Sequence, residues 1–179
     1  MSEAIDNIHR DDAVKLICSH MKYSPEKEIV ALSDACGRTV FEDIRSRYDV
    51  PAVRCSRWDG IVFSYDAYRE IMDRETNAGD FSSWKEGVDY SYSNTGIPVS
   101  REEFDTMVMI EQTRFEDGCL REILPNDVER EQNIIFPGEK MAQGELLASA
   151  GTYVTPAHLN IFAMGGVMTV PVKRKPRVA

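Results

Sequence analysis

Two short polar turns carry the side chains with the clearest chemical capacity in this sequence. The first, Ser56-Arg57-Trp58-Asp59-Gly60, sets a carboxylate beside a glycine. An aspartate on a tight turn can hold a metal-bound water or orient an oxyanion, and the glycine lets backbone approach a ligand closely. The same Asp-Gly pair is equally a plain turn signal, with the carboxylate bonding its own backbone. The second turn, Thr95-Gly96-Ile97-Pro98, offers a hydroxyl and N–H groups, donors suited to oxyanion oxygens. Trp58 can stack on a flat ring beside Asp59 or pack against its own domain.

Other patterned chemistry is missing from the sequence. Cys18, Cys36, Cys55 and Cys119 form no pair at zinc-hook spacing, and His9, His20 and His158 form no H-x-x-x-H pair. Cys18 falls on the apolar side of a helical pattern and is expected in the core. No phosphate loop, dinucleotide fingerprint or G-x-S-x-G elbow occurs.

The 179 residues carry 21 basic and 30 acidic side chains, a net charge of −9, and are 42% hydrophobic. That balance argues against a nucleic-acid partner, because phosphate backbones are bound through clustered Lys and Arg. The densest basic stretch is Lys173, Arg174, Lys175 and Arg177, read as a solvated end. Any anion site would have to be built locally. No apolar run approaches the roughly 20 residues of a membrane helix, and the N-terminus lacks a signal-peptide pattern. A cytoplasmic protein with reduced thiols and no membrane partner is therefore expected.

The elements that must position the two turns read as α+β. Residues 11–22 have helical spacing, with Ala13, Val14, Leu16, Ile17 and Met21 on one face. Residues 28–32 suggest a strand, 33–38 a helical turn closed by a left-handed Gly37, and 39–47 an extended run to Asp49-Val50-Pro51. Ile61 to Phe63 is a strand, and 64–73 a helix with Ser64 as N-cap. Residues 74–86 are polar and expected as a mobile loop, either linker or lid. Short strands follow at 90–93, 106–110, 112–115, 119–124 and 133–136, with Asp117-Gly118 as a hairpin signal, suggesting a small barrel or coiled sheet. Leu146 and Leu147 precede the turn Ala150-Gly151. Thr155-Pro156 opens a helix ended by Gly165-Gly166, and 167–172 alternates as a strand. Arg177-Val178-Ala179 reads as the opening of another strand, so the chain is expected to be a fragment.

The order of these turns resembles the MoeA family, the molybdopterin molybdenumtransferases related to the E domain of gephyrin. Asp49-Val50-Pro51 and Ser56-Arg57-Trp58-Asp59-Gly60 resemble its D-V-P…N-S-x-M-D-G-Y segment. Thr95-Gly96-Ile97-Pro98 resembles its T-G-A-P turn, and Val108 to Gln112 its V-V-x-x-E segment. Pro137-Gly138-Glu139, Gly144-Glu145 and Ala150-Gly151-Thr152 resemble its R-G-E-D…G…A-G-T stretch. Pro156 to Val172 resembles its L-A-S-x-G…V-x-V unit, and Arg177-Val178-Ala179 the entry to its catalytic domain.

The resemblance implies an elongated α/β subdomain, residues 1–46 and 141–179, with an inserted β-rich, barrel-like subdomain at 47–140. It implies a homodimer whose cleft is shared between subunits. The implied reaction transfers molybdenum from molybdate to adenylylated molybdopterin, with release of AMP and dependence on Mg²⁺. Asp59 and Thr95 match the family's functional positions and are the expected catalytic pair, Asp59 also as metal ligand. Ser56, Gly60, Gly96 and Lys140 are the expected ligand-binding positions. Cys55, Trp58 and Ile61 depart from the family pattern. Lys140 replaces an acid, where it would repel Mg²⁺ and attract molybdate or phosphate, or stand solvated. The following pterin-binding domain is absent, so the chain alone is expected not to transfer molybdenum. The alternative is a non-catalytic dimerisation or scaffolding module.

Overall fold

Residues 8–20, 24–99, 101–125 and 127–176 are described in the structure, a computed structural model. The expected end of the first helix at Met21 and Lys22, and the strand opening at 177–179, lie outside them.

Helix α1 (Arg10–His20) starts where the His9 carbonyl accepts from Asp12 and Ala13 N–H. Asp11 and Asp12 lie in its first turn, where carboxylates suit the dipole. None of its residues is buried, and Val14, Leu16 and Ile17 are each more than half exposed. Cys18 is likewise exposed, against the core position expected for it. Helical periodicity identifies an apolar face; it does not guarantee a covering surface in the same chain.

Elements from the two ends of the described chain pair with each other. Strand β1 (Lys27–Ala31) runs antiparallel to the last strand, β11 (Thr169–Lys173), with Lys27 opposite Lys173. Strand β2 (Ile44–Arg45) pairs β10 (Leu146–Ala148). Between these, Gly37 takes the expected positive φ of 76°. Helix α3 (Pro156–Met164) is opened by Thr155, whose N–H donates to His158 Nδ1 at 3.1 Å. Phe162 packs with Val40, Ile44, Val154, Val170 and Val172 in one apolar core. Alternation puts Val170 and Val172 inward on β11, leaving Lys173 on the opposite face.

The chain leaves this group through residues 46–51 and returns through 138–144. The two crossings are bonded together. Val50 N–H donates to Met141 O at 2.8 Å, Gly138 N–H to Pro51 O at 3.0 Å, and Gly144 N–H to Ser46 O at 2.9 Å.

Between the crossings the strands are short: β3 (Cys55–Ser56), β4 (Gly60–Phe63), β5 (Tyr90–Ser93), β6 (Thr106–Met109), β7 (Thr113–Glu116), β8 (Cys119–Ile123) and β9 (Ile134–Ile135). They form open antiparallel sheets, ordered β5-β4-β6, β3-β9 and β7-β8. No barrel closes among the described residues. The central strand β4 is buried throughout. Ile61 and Phe63 face one cluster, with Tyr68, Phe81, Val108 and Leu120; Val62 faces another, with Phe104, Met107 and Ile134. The Asp117-Gly118 hairpin has φ of 49° and 79° at its two loop residues, the left-handed pair that a two-residue turn between twisted strands favours.

Helix α2 (Tyr65–Met72) is N-capped by Ser64, whose Oγ accepts from Ala67 N–H. The segment that follows is not a loose loop. Phe81 is fully buried and Trp84 nearly so, their rings 4.8 Å apart in an edge-on pair. Phe81 also stacks on Tyr68, with centroids 5.8 Å apart. Two aromatics in a polar stretch anchor it, a signal that overall polarity conceals.

Candidate functional site

The first polar turn joins β3 to β4, and the second follows β5. Because β5 pairs directly with β4, with Gly60 opposite Ser93, the two turns come together at one end of the sheet. Asp59 and Thr95 make direct contact there. Asp59 Oδ1 accepts from the Thr95 N–H at 2.7 Å and from the Thr95 hydroxyl at 3.0 Å. The carboxylate remains exposed. Those two bonds, the backbone one first, hold it below the usual carboxylate range, so Asp59 is ionised at neutral pH. Both fall on Oδ1, and among the described residues Oδ2 accepts no hydrogen bond. The Asp59 carbonyl is fixed from the far side by Ile110 N–H at 3.1 Å.

Other expected site residues have different roles. Gly60 is demanded by packing: a Cβ there would lie 2.0 Å from Val108 O and 2.9 Å from Met109 Cα, on β6. Its missing side chain serves the approach of a neighbouring strand, not of a ligand. Ser56 is fully buried, with its Oγ 2.6 Å from the buried Ser93 Oγ, so it faces no ligand. Gly96 takes φ of 79° and donates its N–H to Ser56 O at 2.8 Å. Thr95 N–H and Oγ1 are engaged by Asp59. The donors expected for an oxyanion are therefore used to join the turns.

Lys140 lies exposed on the returning crossing, its backbone N–H donating to Val50 O at 3.0 Å. No hydrogen bond or ion pair joins its side chain to Asp59 among the described residues. Its neighbour Glu139 does reach the first turn, pairing with Arg57 at 2.5 Å and accepting from Phe136 N–H at 3.0 Å. The Arg57 hydrogen bond, then the Phe136 one, hold Glu139 below the usual carboxylate range. Sequence reasoning missed this link; the available signal was an Arg and a Glu, each one residue from a singled-out position. Trp58 is about half exposed beside Asp59.

A resident cation finds little here. Among the described residues no group of three or more His, Cys, Asp or Glu side chains could hold a metal ion. One carboxylate with one engaged oxygen is not a Mg²⁺ site by itself; such a cation would need water and ligand phosphates for its remaining positions.

Fold and site together define an α+β protein of open antiparallel sheets that presents one ionised, threonine-clamped aspartate to solvent. The profile of the MoeA N-terminal region (domain I and II) matches residues 8–166. The molybdopterin molybdenumtransferase of Bacillus subtilis (strain 168) is 34% identical over 181 residues, covering 94% of this chain and 41% of the relative. A crystal structure of the molybdopterin biosynthesis MoeA protein from Pyrococcus horikoshii OT3 superposes with TM-score 0.72 at 26% identity, over 93% of this chain and 46% of that one. A second structure of a molybdopterin biosynthesis MoeA protein from Pyrococcus superposes with TM-score 0.71 at 21% identity, over 93% of this chain and 44% of that one, a likeness of fold. The chain belongs to the MoeA family. It spans less than half the length of these relatives.

Proposed function

We propose that this chain is the N-terminal and linker portion of a molybdenum insertase, which transfers molybdenum from molybdate to adenylylated molybdopterin in molybdenum cofactor biosynthesis. The observation that carries the reading is the exposed, ionised Asp59 clamped by Thr95. A bare carboxylate repels an oxyanion, so Asp59 does not bind molybdate directly. Its unengaged Oδ2 accepts a hydrogen bond from a ligand hydroxyl or an ordered water, and the Thr95 clamp fixes its direction. Any Mg²⁺ in the reaction would be held chiefly by the substrate's phosphates, with Asp59 reaching it through water, and would supply charge neutralisation there. Lys140, exposed on the returning crossing, contributes positive charge to an anion held near it. The remaining wall of the cleft belongs to a further domain and to a second copy of the chain. The two-part division, 1–46 with 141–179 around an inserted 47–140, and a cytoplasmic location belong to the same reading.

The test is molybdenum transfer by the gene product carrying Asp59 or Asp59→Ala. Loss of turnover by about a hundredfold or more, with unchanged melting temperature, is the expected result. Unchanged turnover removes Asp59 from the reaction. The 179-residue chain alone is expected to transfer no molybdenum; turnover by it would contradict the shared cleft.

A second reading, a non-catalytic dimerisation or scaffolding module, is favoured by the uncovered Val14, Leu16 and Ile17 of α1. Sedimentation of wild type and Leu16→Glu/Ile17→Glu separates the two. Self-association abolished by the double variant, with no turnover in the gene product, favours the scaffold.

A further inference from the structure

The basic run near the C-terminal end is joined by a cation from elsewhere in the chain. Arg38 lies beside β11 in the outer sheet formed by β1 and β11, held by Lys173 N–H donating to Thr39 O at 2.8 Å and by Arg38 Nη2 donating to Lys173 O at 3.1 Å. Together they line a concavity of about 400 Å³ formed by Gly37, Arg38, Thr39, Lys173, Arg174 and Lys175. An adjoining recess of about 370 Å³ is lined by Arg38, Arg174, Lys175 and Glu28.

Among the described residues two carboxylates pair with this cluster. Glu28 pairs with Arg38, and Glu26 with Arg174. The balance is positive in a chain whose net charge is −9. Glu28 registers that excess: it is held below the usual carboxylate range, first by its Arg38 hydrogen bond and further by the charges of Arg38, Arg174 and Lys175. Arg38 is also 12% exposed, and its Nε is buried with no hydrogen-bond partner. A largely desolvated guanidinium attracts a nearby anion more strongly than a hydrated one does.

We propose that this concavity is an anion site for a small phosphorylated molecule, recognised through its phosphate groups by Arg38, Lys173 and Lys175. It lies on the outer sheet, built from residues that Asp59 and Thr95 do not touch, and stands independently of the molybdenum reading. Arg38 offers planar donors matched to phosphate oxygens, while the two lysines act as adjustable point charges. Its volume takes a phosphate or diphosphate group together with the body of the small molecule that carries it.

The probe is inorganic pyrophosphate, titrated at low ionic strength into the purified chain and followed by calorimetry and ¹H–¹⁵N shifts. Saturable binding with a dissociation constant below about 1 mM is expected, with shifts at Gly37, Arg38, Thr39 and Lys175. Lys173→Glu/Lys175→Glu is expected to weaken binding by about tenfold or more, while Lys85→Glu leaves it unchanged. Lys175→Gln, at an exposed side chain, gives a milder loss and serves if the double variant fails to fold. Absence of saturable binding, shifts confined elsewhere, or equal weakening by Lys85→Glu overturns the site.

Discussion

Thr95 donates twice to a single oxygen of Asp59, through its N–H at 2.7 Å and its hydroxyl at 3.0 Å. The folded pKa of Asp59 is thereby depressed. The clamp's contribution to stability is present above the ordinary aspartate value, about 3.9, and is lost as pH falls through the depressed one. Thr95→Val keeps the backbone bond and removes the other. Its Asp59 carboxyl signal in an NMR titration should move up toward the ordinary value, and the acid unfolding midpoint should rise with it. An unmoved signal would show that the hydroxyl bond is absent in solution.

Gly60→Ala should cost about 3 kcal/mol, the upper range for overpacking, because the new Cβ meets strand backbone and not a flexible side-chain end. Gly118→Ala is the contrasting substitution: a Cβ there has open space, and only its φ of 79° resists. It should cost about 1 kcal/mol, as an L-residue placed in a left-handed conformation. Urea denaturation of both variants checks the order.

Ser56 and Ser93 form a buried hydroxyl pair, so removing one orphans the other. Ser56→Ala should cost about 1–3 kcal/mol, and Ser56→Ala/Ser93→Ala less than the sum of the two single changes. An additive cycle would mean that each hydroxyl has another partner.

Phe81→Ala should cost about 3–5 kcal/mol. It should also open the 74–86 segment to protease before the rest of the chain unfolds. Denaturation paired with limited proteolysis separates these effects. Unchanged cleavage would mean that other contacts hold the segment.

The sequence discloses turns better than it discloses what the turns face. Thr95-Gly96 and Asp117-Gly118 stand where their residue types predict, because each glycine takes the positive φ its turn requires. Ser56 could not be assigned this way. Whether a serine on a strand end faces a ligand or a second serine depends on pairing with β5, far along the chain. Gly60 likewise looks ligand-facing until β6 is placed behind it. Phe81 and Trp84 are hidden by the polarity of their neighbours, and the apolar spacing of α1 suggests a core contact that the described residues do not supply. The charge of Lys173 to Lys175 is legible, but its concentration around Arg38 is a product of long-range pairing.

The pairing of β1 with β11 has a bearing on the order of assembly. During synthesis β1 emerges without its mate, and the sheet that holds Val40 against Val172 cannot close until β11 has left the ribosome. The middle strands, whose pairings are nearer in sequence, can settle first. The outer sheet then forms around a finished interior, with the bonded crossings at 46–51 and 138–144 already bringing its two halves side by side.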